Sequence, residues 1–197
     1  MVSASTLHVV TTELAIGSIA LSGLGFVVAG ASATVANIRR KELLFGDQVA
    51  HMALLFGLVA LPFAIFTGIG SSPGDGINHS LLANKLTLSM TGLGLGVGVL
   101  WCRMTQGRTV WGNKTSAAVQ SLAGVLASVC ILLTASLGGT YTRGESLLAW
   151  LPVPFDTALL MPVWASALVL LMAIVLLIQS RTAPKVPLGD IADLSRN

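Results

Sequence analysis

Residues 77–101 read INHSLLANKLTLSMTGLGLGVGVLW, and this stretch decides the fold. His79 and Lys85 stand near its start, and no further charge follows as far as Trp101. About 20 apolar residues are enough for a helix to cross the hydrocarbon core of a membrane. The glycines at 92, 94, 96 and 98 look like a phosphate loop, but no strand pattern precedes them and no Lys-Ser/Thr follows. On a helix, Gly92–Gly96 and Gly94–Gly98 are pairs of small residues one turn apart. They let a second backbone come close, or leave room for a flat ring such as haem or quinone.

The same layout recurs nearer the N-terminus in LHVVTTELAIGSIALSGLGFVV, residues 7–28: a histidine, a lone glutamate, then an apolar run. Charged residues make up only 10% of the 197, hydrophobic residues 54%, and the mean hydropathy is +0.84. Soluble domains carry about a quarter charged residues. Cutting the chain at its charge clusters leaves apolar stretches at about 7–37, 49–70, 79–102, 117–138 and 157–179. The expected fold is all-α: a polytopic membrane helix bundle with a four-helix core, a fifth transmembrane helix, and a tail over 181–197. The first stretch has no basic residue ahead of it and is too long for a signal-peptide core.

Basic residues set the expected orientation. Arg39, Arg40, Lys41, Arg103, Arg108, Lys114, Arg181, Lys185 and Arg196 fall on one side, nine of the eleven in the chain. That side should be cytoplasmic, with the N-terminus outside and the C-terminus inside an inner membrane. No basic face on a soluble module exists, so no nucleic-acid partner is expected. Cys102 and Cys130 read as ordinary helix residues, since a zinc site would want four clustered ligands. Pro62 falls inside the second span, where a kink is expected. The segment RGESLLAWLPVPFD (143–156) suits a strip lying flat at the external surface or a lid over the bundle mouth.

With the N-terminus outside, spans one and three run parallel, so His8 and His79 stand at one height near the external face. Each is either an interfacial polar side chain or, together, the two axial ligands of one b-type haem. His51, at the opposite end, reads as structural. Glu13 and Lys85 lie at matching depth, both ~8 Å below the histidines. They are a hydrated acid with a snorkelling lysine, an ion pair joining spans one and three, or a proton- or quinone-binding site. At about 100° per residue, Glu13 is rotated about 140° from His8, and Lys85 about 240° from His79. The histidines and the charges therefore cannot both meet head on.

HVVTTELAIG (8–17), ALPFAIFTGIG (60–70), HSLLAN (79–84) and TASLGGTYTRG (134–144) together resemble a family of small bacterial membrane proteins with a four-span domain of unknown function. Its members carry H-P-x-x-V-H-F-P-I-A, a T-G ending to the second span, H-A-L-L-N, and G-x-L-G-G followed by Y-x-H-G. The resemblance covers about residues 7–145 and implies a four-span fold with suspected haem or redox association. His8 and His79 match family histidines, whereas Val9, Glu13 and Arg143 stand where the family has proline, histidine and histidine.

The leading functional expectation is a membrane subunit of a respiratory or photosynthetic electron-transfer complex, holding haem b through His8 and His79. A quinone and a periplasmic cytochrome would be within reach, and neighbouring membrane subunits and lipid would surround it. The alternative is a non-catalytic accessory subunit without cofactor, packed against larger membrane partners. A carrier built around Glu13 is a third reading, without the broken helices and inverted repeats usual in transporters. No nucleophile with a base and no carboxylate pair suggests catalysis by the chain alone.

Overall fold

The computed structural model describes residues 3–34, 40–71, 80–145 and 163–182. They form helices α1 (Ala4–Thr34), α2 (Arg40–Ser71), α3 (Ser80–Gln106), α4 (Lys114–Arg143) and α5 (Val163–Thr182), with a 3-10 turn at Gly107–Trp111. The described residues are all-helical apart from short connections. Four helices are long and apolar enough to cross a membrane, and α5 is shorter. The segment 146–162, the tail from 183, and His79 lie outside the described residues.

The helices run beyond the apolar stretches that mark them in sequence. α2 begins at Arg40 rather than near residue 49, which brings Asp47 inside the helix. Helix α2 also continues across Pro62. The turn between α3 and α4 has local causes. Gly107 takes φ +59, in the left-handed region that favours glycine, and ends α3. Asn113 then caps α4, its side-chain oxygen accepting from the Ser116 N–H at 2.8 Å.

Packing is cyclic. α1 lies along α2 and α4, α3 lies along α4 and meets α2 more sparsely, and α5 rests outside against α3 and α4. α1 and α3 thus occupy diagonal corners. The α1–α2 seam is the tightest. A Cβ at Gly25 would sit 2.6 Å from the Ala50 nitrogen, and one at Gly46 would sit 2.7 Å from the Ala29 nitrogen. Only glycine permits that approach from both sides. Across it the Ser22 hydroxyl donates to the Ala50 carbonyl at 2.8 Å. Ile19, Phe26, Leu54, Leu95, Val99 and Ile131 fill the core. Large apolar side chains such as Phe66, Ile69, Leu24 and Met104 cover the outside, the surface of a bundle suited to lipid.

Of the four alternating glycines, Gly92 packs on Ile131 of α4, Gly96 on Leu58 and Leu54 of α2, and Gly98 on Leu176 of α5. Gly94 has nothing within 4 Å. The bundle therefore has a basic end, carrying Lys41, Arg103, Arg108, Lys114 and Arg181, and an opposite end carrying His8 and Lys85.

Candidate functional site

The strongest polar cluster lies inside the basic end. Asp47 and His51 stand one turn apart on α2, so both face inward, and Asp47 is only 2% exposed. Arg103, in the last turn of α3, clamps Asp47 with two parallel bonds: Nε to Oδ1 at 2.9 Å and Nη2 to Oδ2 at 2.7 Å. Trp111, at the end of the 3-10 turn, donates its indole N–H to Oδ1 at 2.8 Å. Such charge-assisted, bidentate bonds are the strong ones.

His51 extends the cluster to α4. Its Nδ1 lies 2.8 Å from the Asp47 carbonyl and 3.1 Å from Asp47 Oδ1, both acceptors, so Nδ1 carries the proton. Nε2 is then the acceptor for the Gln120 amide, 3.0 Å away. The same amide nitrogen donates its other hydrogen to the Val99 carbonyl at 3.0 Å. Turning the Gln120 amide over would set its oxygen against the Val99 carbonyl, so the network fixes both the amide and the tautomer. Gln120 Oε1 is left buried without a hydrogen-bond partner. Phe26 of α1 meets the His51 ring edge-on, centroids 5.0 Å apart, and Trp111 flanks it at 6.3 Å. Four elements of the bundle converge on one imidazole.

The cluster continues toward α5. The Gln106 amide donates to the Gln179 carbonyl at 3.0 Å, the Gln179 side chain bonds Ser116, and the Cys102 thiol points to the Leu176 carbonyl at 3.4 Å. Chemically this is a latch. Both Asp47 oxygens are taken up by donors, which leaves no free carboxylate to act as a base. Among the described residues no three His, Cys, Asp or Glu side chains gather as a metal site would need.

The residues singled out from sequence lie elsewhere. His8 is partly buried at the far end of α1. Its Nδ1 is 3.2 Å from Thr67 Oγ1 and 3.4 Å from Thr12 Oγ1, and its ring rests against Gly68, all in the α1–α2 seam. Its expected haem partner, His79, is outside the described residues. Of the α3 glycines read as leaving room for a flat ring, Gly92 and Gly96 are closed in by neighbouring side chains. Gly17 faces outward with nothing near it, and the space at Gly92 is filled by Ile131, 2.6 Å from where a Cβ would be.

Glu13 and Lys85 are not brought together. Glu13 is exposed on the face of α1 opposite Ile19, Ser22, Phe26 and Ala29, which are buried. Lys85 turns inward, its Nζ 3.1 Å from the Cβ position of Gly138 on α4. The ion pairs among the described residues are those of Asp47 with Arg103 and His51.

Sequence reasoning passed over the latch. Asp47 falls outside the apolar stretch assigned to span two, and Arg103 counts there only toward orientation. The usable signal was the D-x-x-x-H spacing of Asp47 and His51, which puts both on one helical face. Comparison with protein-family models, curated proteins and solved structures finds no match for this chain.

Proposed function

We propose that the chain is a non-catalytic integral membrane subunit that docks onto a larger membrane complex through the outward face of α1. Glu13 carries this reading. An ionisable side chain within a membrane helix normally faces the bundle interior or a partner, because lipid satisfies neither its charge nor its hydrogen bonds. Glu13 faces away from its own bundle. One turn on, Gly17 is open, and the face continues through Ala20, Leu24, Val27 and Ala31 at the three- and four-residue steps of a helix–helix seam. The partner is a transmembrane helix presenting a lysine, arginine or other strong donor at the depth of Glu13. The polar groups of the latch are spent on holding the bundle together, in keeping with a scaffold. The basic end faces the cytoplasm in this reading, which leaves the N-terminus outside.

The test is site-specific photo-crosslinking in the native membrane from position 24 of α1. A single defined membrane protein should be captured, and capture should fall in Glu13→Ala and Gly17→Leu, with Met90 as the control position on another face. Glu13→Lys should be rescued by an acid in place of the partner's cation. Crosslinks to lipid alone, or capture indifferent to Glu13, refute the proposal. Absorption spectra of the purified protein, oxidised and reduced, test the rival electron-transfer reading. A low-spin haem b signal lost in His8→Ala and His79→Ala would displace the scaffold.

A further inference from the structure

The interior of the bundle holds a second cation besides Arg103. Residues 92, 96 and 103 of α3 lie within about 20° of Lys85 around the helix at 100° per residue. Gly92 meets α4, Gly96 meets α2, and Arg103 reaches Asp47, so this stripe faces the bundle interior. At the basic end its cation has a dedicated carboxylate. At the other end Lys85 has none among the described residues: Glu13 lies on the outward face of α1, and Glu145 is exposed.

From this asymmetry we infer that Lys85 is the seat of an anionic oxygen group, a carboxylate or a phosphate, entering the bundle from the His8 end. An inward, half-buried ammonium needs a counter-charge as Arg103 does. Lysine suits the task, being a compact point charge with three rotatable donors on a flexible stem. Gly138 has no side chain, so the ammonium settles directly against α4. His8 stands near the start of α1 and Lys85 near the start of α3, so both belong to the same end of the bundle. The site is independent of the outward docking face, because it lies on the inner side of the bundle and belongs to the isolated chain.

Two sources offer the same chemistry: a small soluble anion and the phosphate of an anionic lipid. The full chain, purified and reconstituted in nanodiscs, is titrated with inorganic phosphate and with acetate in neutral lipid. In a second arm, native mass spectrometry counts phosphatidylglycerol retained against phosphatidylcholine. Saturable binding in either arm identifies the source. Lys85→Gln should weaken it about tenfold or more. Lys85→Arg should keep most of it, and Arg143→Gln all of it. Gly138→Val, which would press on the ammonium, should weaken it while circular dichroism shows unchanged helicity. Binding of no probe, or equal binding by wild type and Lys85→Gln with Lys85→Arg folded as a control, overturns the assignment and leaves Lys85 as a side chain reaching for water.

Discussion

Replacing Asp47 by Asn removes the charge at the centre of the latch while nearly keeping its shape. Asp47 accepts two bonds from Arg103, one from Trp111 and one from His51. An amide has one acceptor oxygen, so at least one Arg103 donor faces an N–H₂ group instead. Breaking a buried pair from one side costs about 3–5 kcal/mol. The Arg103 side chain is 23% exposed and can turn partly toward water, so the lower end, about 3 kcal/mol, is expected. That is a large part of the roughly 5–15 kcal/mol that holds a domain together. Arg103→Met should cost a similar amount by leaving the Asp47 charge enclosed. The decisive measurement is the double variant Asp47→Leu/Arg103→Met, followed by thermal or denaturant unfolding in detergent. If the latch is an enclosed pair, the double variant is more stable than either single variant, because no unpaired charge remains. Single variants within about 0.5 kcal/mol of the wild type, the usual range for surface changes, would refute the latch. So would a double variant whose loss equals the sum of the two.

The seam between α1 and α2 makes a sharp contrast with α3: Gly25→Leu should abolish folding, since its Cβ would strike the Ala50 backbone, whereas Gly94→Leu should leave unfolding midpoints of the isolated chain unchanged. Ser22→Ala, which loses the bond to the Ala50 carbonyl, should cost about 1 kcal/mol in the same assay. Trp111→Phe should keep the ring contact with His51 but lose the indole bond, at about 1–2 kcal/mol and less than Asp47→Asn. A reporter inserted between Gly112 and Asn113 should read cytoplasmic, and a periplasmic signal would invert the orientation drawn from the basic residues.

The long helices were legible because length and the absence of charge suffice to mark them. The rotation of Glu13 from His8 sets the two on different sides of α1, but only the packing of α1 on α2 and α4 decides that His8 is the inward one and Glu13 the outward one. The order of helices around the bundle was not legible. Parallel direction and equal height suggested that spans one and three meet, yet helix contact follows small-residue seams, and the closest one runs between Gly25, Gly46, Ala29 and Ala50. The latch was hidden for a related reason. Each of its members has an ordinary local explanation, and only the fold joins Asp47 to Arg103, Trp111 and Gln120. Charge clusters mark helix ends well when the charges are solvated. Asp47 is enclosed by its partners, so the cut made there clipped the first turns of α2.

The long chain distance within the latch has a consequence for synthesis. Arg103 follows Asp47 by 56 positions, and Trp111 by 64. While the chain emerges, α1 and α2 can close on their glycine seam with the carboxylate still lacking its cation. The hairpin made first is therefore held in an unfinished state, and the arrival of α3 completes it. A truncated product ending before Arg103 carries an exposed acid in an apolar helix, a mark by which membrane quality control can tell an incomplete bundle from a finished one.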